Sequence, residues 1–339
     1  MQTTDFDFTY PEELVATHPA PQPRIAYFNR AQNALKEITK NELFDLFSPG
    51  DAIVINDTQV LPRRITSSSG LEILFLDEIE PSVWTVLFPA KQIKDNESIA
   101  LPGGVSAQLV ARGLPQIIRV SEKISADYFE QFGELALPPY IQSARHQRKN
   151  LLEDKLWYQT AWAKVPGSSA APTASLHFSK TDLESLKKRG VNLIELTLHV
   201  GLGTFLPVKT KNLLDHKMHA EKIYLPKLSA DLLQSTQRSG RKIWALGTTA
   251  TRAVESYGQN LLKFNEYSNC FEGNSDLFIT PGYEFKFVNA LLTNFHQPQS
   301  TLLALVSAFA GRERVLKTYQ WAIENQFRLF SYGDLSVWE

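Results

Sequence analysis

Chemistry-bearing side chains gather in a few short blocks of this chain. His199-Val200-Gly201-Leu202-Gly203-Thr204-Phe205 sets an imidazole beside a Gly-x-Gly turn, where missing side chains let backbone approach a ligand closely. Position 206 is Leu where a dinucleotide fingerprint needs its third glycine, so a Rossmann reading fails. Gly201, Gly203, Thr204 and Phe205 remain as a candidate ligand-facing turn. Gly247-Thr248-Thr249-Ala250-Thr251-Arg252 falls where a strand feeds a helix. Free helix-start N–H groups, the Thr248 and Thr249 hydroxyls and Arg252 suit a carboxylate or phosphate. Ordinary N-capping by either threonine is the competing explanation. Asn56, Asp57 and Thr58 follow an apolar run and can present acceptors to a ribose or an amine, with a self-bonded Asx turn as the alternative.

Five of the seven histidines lie between His177 and His296. His177, His199, His219 and His296, with Glu221, are candidates for proton transfer, because imidazole titrates near neutral pH and a half-buried carboxylate can be raised toward it. His216 and His219 stand at His-x-x-His spacing just before Glu221, but no further ligand cluster accompanies them and no metal is expected. Tyr283 stands in a Pro-Gly turn beside Glu284, placed to face a cation. The motif expectation is that His199→Ala and Glu221→Gln lower turnover more than stability.

The elements that must position these groups read as alternating strands and helices. Residues 51–55 form a buried strand that ends at Asn56, and 191–200 and 243–246 form two more. Further strands are expected at 277–279 and 288–292. Helices are expected at 181–188, capped by a threonine, and at 229–239, 250–257, 301–310 and 314–330. Residues 66–137 differ in texture, with short apolar runs separated by Gly, Pro, Ser or charge. The expected fold is therefore an α/β main domain, 1–65 plus 138–339, interrupted by an inserted small all-β, barrel-like domain at 66–137.

The 339 residues allow two domains of ordinary size, each with its own core. One cysteine, Cys270, rules out an internal disulfide and a cysteine-rich zinc site. The acidic first residues do not resemble a signal peptide, and the most apolar stretch, 302–310, is too short to span a bilayer. A cytoplasmic protein with no membrane partner is expected.

Taken in order, these blocks resemble the S-adenosylmethionine:tRNA ribosyltransferase-isomerase family of queuosine biosynthesis. The resemblance runs through 51–60, 137–141, Tyr158-Gln159-Thr160, 170–177, 197–205, 218–221, Gly247-Thr248-Thr249, Arg252, Glu255-Ser256, 276–311 and Ser331-Tyr332-Gly333-Asp334. It implies transfer of the ribosyl portion of S-adenosylmethionine to the aminomethyl group of preQ1 at the tRNA wobble position. Adenine and methionine leave, and the product is epoxyqueuosine. S-adenosylmethionine is then a co-substrate, with no other cofactor and no metal, and the RNA partner is a preQ1-containing anticodon loop. The chain is expected to be a monomer. A base near ribose C5′ and an acid near adenine are needed; the histidines and Glu221 are the pool for both roles. Thr248, Thr249 and Arg252 suit the methionine carboxylate, Tyr283 or Phe205 the sulfonium, and Asn56 and Asp57 the ribose or the preQ1 amine.

The chain departs from the family's usual pattern at the shortened segment after Arg24, at Gln59 and Gln299 where basic residues are usual, and at Ser175 in place of glycine. Three basic positions are lost, which motivates an alternative: a divergent relative that binds RNA or an adenosyl ligand without this catalysis. Arg63, where alanine is common, is a candidate compensation. The formal charge of −1 conceals an uneven distribution: segment 141–222 carries thirteen basic side chains against seven acidic ones. Arg145, Arg148, Lys149, Lys209, Lys211, Lys217 and Lys222 are the candidate tRNA contacts.

Overall fold

The computed structural model describes residues 1–94, 97–201, 203 and 208–339. Thr204 and Phe205 lie outside the described residues. A ten-stranded mixed sheet forms the larger part, in the order Lys263–Asn265, Cys270–Ser275, Glu221–Pro226, Asn192–His199, Ala52–Asn56, Ile243–Leu246, Ala290–Asn294, Leu335–Trp338, Ile25–Asn29 and Ala34–Ile38. Its four central strands, Asn192–His199 to Ala290–Asn294, run parallel. Such strands must be covered on both faces, and the apolar pattern does this by strict alternation. Val54 and Ala245 join one core with Ala250, Val254 and Leu303, while Ile53, Ile55 and Trp244 join a second with Phe44, Leu183 and Leu186.

The parallel strands end together at His199, Asn56, Leu246 and Asn294. Ala52–Asn56 has Asn192–His199 on one side and Ile243–Leu246 on the other. Chain direction therefore diverges around Asn56, the place where open α/β sheets form a ligand crevice.

A second, six-stranded sheet is antiparallel throughout and built from Arg64–Thr66, Glu72–Glu80, Val83–Leu87, Ser98–Ala100, Ser106–Ala111 and Gln116–Val120. It curls so that its outer strands approach, with the Ser68 N–H donating to the Ala100 carbonyl at 2.9 Å. The two edge strands are not otherwise paired in the ladder, which leaves a half-barrel. The segment is not all β: helix Ala126–Phe132, capped by Ser125, packs Phe129 against Phe75 and Trp84 inside the curl. A short curled sheet has an open side, and an aromatic helix face fills it. Entry and exit are clamped together, Arg64 and Glu134 exchanging both backbone hydrogen bonds and an ion pair at 2.5 Å.

Three local expectations need correction. Helix Lys180–Lys188 is capped by Ser179, in a reciprocal box with Asp182, and not by Thr181. Residues 277–279 form no strand; Ile279 is instead buried in the core from a loop. The last long helix is Arg312–Glu324 and stops short of 330. Gln326 takes a left-handed φ of 59°, which turns Phe327 off the helix to pack on Phe295 and Trp321.

Candidate active site

Asn56 explains how the crevice opens. Its side chain behaves as one more ladder residue, Nδ2 donating to the Leu198 carbonyl at 2.9 Å and Oδ1 accepting from the Leu198 N–H at 3.0 Å. The backbone is thereby free to leave the sheet, and Thr58–Val60 pairs instead with Val165–Ser168. Asn56 thus acts as a strand tie. Asp57, also buried, accepts from the Thr197 hydroxyl at 2.5 Å and pairs with Lys164 at 3.2 Å.

Thr58 carries the next step, its hydroxyl sharing a hydrogen bond of 2.8 Å with Nδ1 of His199. Gly167 lies flat against that imidazole: a Cβ there would sit 2.8 to 2.9 Å from three ring atoms. Thr58 and Gly167 therefore fix the ring's plane and rotation, while Nε2 has no partner among the described residues. Burial lowers the His199 pKa, Lys222 and Arg63 act in the same sense, and Asp57 and Asp77 oppose them. Asp77 and Arg63 belong to the curled-sheet region, so both sheets contribute to the field around His199. Arg63 itself is held by the Leu76 carbonyl and by the faces of Trp84 and Phe129.

Two strands along the sheet, helix Thr248–Gly258 begins at Gly247, which has φ +94° and no capping side chain. A Cβ on Gly247 would contact Ala174 at 3.7 Å and the Thr249 hydroxyl at 3.8 Å, so the Thr173–His177 turn lies directly over the helix start. The Thr249 and Ser175 hydroxyls are both buried without a partner among the described residues. Unpaired buried hydroxyls beside an uncapped helix start are receptive to a polar ligand.

His177 and His296 also reach this end of the sheet, but in a different state. Asn294 Nδ2 donates to the Gly333 carbonyl at 3.3 Å, which fixes the amide's orientation. The same Nδ2 therefore donates to His177 Nε2 at 3.0 Å, and the His177 proton resides on Nδ1. Burial, with Lys40 and Arg328, pushes the His177 pKa down to about 4. Burial alone pushes His296 down to about 3, where Nε2 meets the Thr293 hydroxyl at 2.9 Å. Both rings are neutral at pH 7, and each has Nε2 tied by a hydrogen bond, whereas His199 is held through Nδ1 and leaves Nε2 open. His219 packs against Gly203, and it contributes to a lowered pKa at His216, second to burial. No group of three or more potential metal ligands occurs among the described residues.

Glu221 and Arg252 take each other as partners in a buried ion pair. Glu221 Oε1 also accepts from the Gly201 N–H at 3.2 Å, and Arg252 Nε donates to the Leu277 carbonyl at 3.3 Å. Arg252 is thus already neutralised, and the first-turn N–H groups and Thr249 are the freer anion donors. The same pair revises the expectation for Glu221→Gln, which leaves a buried guanidinium uncompensated and so lowers stability as well as turnover.

Tyr283 and Glu284 are not brought into the crevice. The Tyr283 hydroxyl donates to Glu255 at 3.0 Å and accepts from Gln259 at 3.0 Å. These partners lie near the opposite end of the helix that starts at Gly247, about 10 Å along its axis. Glu284 is exposed.

Among the proposed RNA contacts, Arg148, Lys149, Lys209, Lys211, Lys217 and Lys222 are exposed. Arg145 is not available. Its side chain is 7% exposed and grips fully buried Asp154 at 2.7 and 2.8 Å. Asp154 further accepts from the Tyr332 hydroxyl at 3.0 Å. A basic residue in an RNA-rich context looked like a phosphate ligand, but the fold uses it to neutralise a core carboxylate. Arg145→Leu is therefore expected to lower stability by about 3 kcal/mol without changing tRNA affinity per folded molecule. A denaturant titration beside a binding isotherm checks this; weaker binding at unchanged stability would reverse the assignment.

The sequence reading missed Gly167 and Asn294 as organisers of the site. Asn294 sits inside the Thr-Asn-Phe-His block, a usable signal, whereas nothing local marks Gly167 as the plate beneath an imidazole 32 positions away. Of the departures from the usual pattern, Gln299 donates to Asp7 at 2.8 Å and Arg24 is paired with Glu37 at 2.6 Å.

The family model described as "Queuosine biosynthesis protein" matches residues 3–337. The chain belongs to the queuosine biosynthesis protein family. It is 39% identical to the S-adenosylmethionine:tRNA ribosyltransferase-isomerase of Sulfurihydrogenibium sp. (strain YO3AOP1), with 98% of each chain covered. Its fold is similar to the crystal structure of S-adenosylmethionine tRNA ribosyltransferase from Thermotoga maritima at 28% identity. That match has a TM-score of 0.56 and covers 99% of this chain and 100% of the other. Family membership thus rests on the whole length, both sheets included. No helix among the described residues is long and apolar enough to cross a membrane.

Proposed function

We propose that this chain transfers and isomerises the ribosyl moiety of S-adenosylmethionine onto preQ1 at the tRNA wobble position, giving epoxyqueuosine and releasing adenine and methionine. The observation that carries the reading within the site is His199: a fixed imidazole with Nε2 open, at the same end of the parallel strands as an uncapped helix start. The sulfonium acidifies the neighbouring ribose C5′–H, and a neutral imidazole can take that proton. The amides opening helix Thr248–Gly258, with the Thr249 hydroxyl, offer the methionine carboxylate an electropositive seat. Glu221 accepts from the Gly201 N–H, and His219 lies against Gly203.

In this reading, residues 66–137 act as an inserted β-barrel-like domain that presses Asp77 and Arg63 toward the crevice. S-adenosylmethionine is a co-substrate with no other cofactor. The preQ1-bearing anticodon loop enters near Lys222, where an unpaired base can be stacked and read by its edges. The enzyme works as a cytoplasmic monomer. Incubation with S-adenosylmethionine and a preQ1-containing anticodon stem-loop is expected to release adenine and methionine, with the matching gain in RNA mass. Tight RNA binding without either product would overturn the reading.

A further inference from the structure

The end of the main sheet remote from His199 carries a cleft of about 810 Å³. Arg30, Arg241, Lys242, Lys286 and Arg314 line it, converging from four separate chain segments, and Glu339 is the one acidic side chain among them. Glu339 already pairs with Lys242 and accepts from the Tyr27 hydroxyl at 2.6 Å. Arg30, Arg241, Lys286 and Arg314 are left without an ion-pair partner among the described residues. Like charges crowded in this way repel unless an anion joins them.

Arg30 shows that the cleft is built and not a chance gathering of flexible tips. Its Nη1 donates to the Phe309 carbonyl at 3.0 Å and its Nη2 to the Asn289 carbonyl at 2.8 Å. The guanidinium lies 4.0 Å over the Phe309 ring, while Nε is buried with no partner. Gly311, also in the lining, begins the 13-residue helix Arg312–Glu324 with φ +89° and no side-chain cap. Helix Thr301–Ala310 ends at the same glycine, so the two helix termini offset each other and the cleft's positive field comes from its side chains.

We propose that this cleft holds backbone phosphates of the tRNA body, outside the anticodon stem-loop. Phosphates fit better than a nucleoside, because Arg30 covers the Phe309 face on which a base would stack. The parallel strands separate this cleft from the His199 end by about 17 Å of sheet. One nucleotide cannot occupy both ends, whereas a folded tRNA spans the distance. The proposal rests on the tRNA-modifying reading of the crevice. Charge counts along the chain hid it, since its cations come from positions 30, 241, 242, 286 and 314.

The test is the double variant Arg241→Glu/Arg314→Glu, with both positions exposed, against full-length unmodified tRNA and against the isolated anticodon stem-loop. Affinity for full-length tRNA is expected to fall at least about tenfold, and the log–log salt slope to lose about 2. Stem-loop affinity and adenine release from a saturating preQ1 stem-loop stay at wild-type values. Equal weakening for both RNAs, or for neither, would overturn the proposal. So would saturable binding of pyrophosphate that the variant abolishes while tRNA affinity stays unchanged, which would assign the cleft to a free polyphosphate. Should wild type bind tRNA through this cleft yet release no adenine from any substrate, the catalytic reading fails and the RNA surface stands.

Discussion

His199→Ala lowers the rate of adenine release by about 10²–10⁴-fold, the usual worth of a positioned acid–base group, while the denaturation midpoint moves little. Thr58 engages Nδ1 at 2.8 Å and Gly167 fixes the ring plane, so Nε2 alone faces the crevice. Removing a half-buried ring with one side-chain hydrogen bond costs about 1 kcal/mol of stability, well short of unfolding. The pH dependence follows from the lowered pKa caused first by burial and then by Lys222. The acid limb of the wild-type rate therefore lies at lower pH than an ordinary imidazole would give, where His199 becomes protonated. In His199→Ala that acid limb disappears. Thr58→Val, which removes the partner of Nδ1, lowers kcat with little change in KM and displaces the limb. Wild-type turnover in His199→Ala would remove the residue from the site.

Glu255→Ala is expected to be the most destabilising single change at the site's foundations. The Glu255 side chain is fully buried and has no ion-pair partner among the described residues. Its two oxygens accept instead from the backbone N–H groups of Lys286 at 2.7 Å and of Phe287 and Val288 at 3.0 Å each, and from the Tyr283 hydroxyl at 3.0 Å. Alanine leaves three backbone donors buried and unpaired at about 1–3 kcal/mol each, on the order of 5 kcal/mol together. The bonds tie the helix that opens at Gly247 to the segment leading into strand Ala290–Asn294. Activity therefore falls in step with the folded fraction. Glu255→Gln keeps an acceptor and the side-chain volume, and loses about 2 kcal/mol. Chemical denaturation of both variants checks the order; a loss below 1 kcal/mol for alanine would show that water replaces the carboxylate.

Glu255 was visible in the sequence only as part of a Glu-Ser pair within a familiar block, and Tyr283 looked like the functional member of its neighbourhood. The structure exchanges their parts: Tyr283 serves Glu255, and both serve the helix. Arg145 and Arg252 tell the same story. Each is a cation in a basic or polar motif, and each is matched to a buried carboxylate, Arg145 to Asp154 and Arg252 to Glu221. Exposure and pairing are properties of packed surfaces. No local pattern encodes which of two similar arginines will meet an acid.

What the sequence by itself determined was local and periodic. The alternation of Ile53, Val54 and Ile55, the strand at 243–246 and its exit through Gly247, and the helix at 301–310 depend on side-chain periodicity and turn chemistry within a dozen residues. The ordered blocks determined the family, because their identities and spacing persist along the whole chain. Tertiary structure decided which groups act together. It brought Thr58, Gly167 and His199 into one contact, closed the half-barrel with helix Ala126–Phe132, and gathered five cations around one cleft with a single acidic side chain, Glu339. Such convergence depends on strand order and register. Contacts between residues 30 or 140 positions apart are fixed by the global packing of the two sheets, not by any segment's own preference.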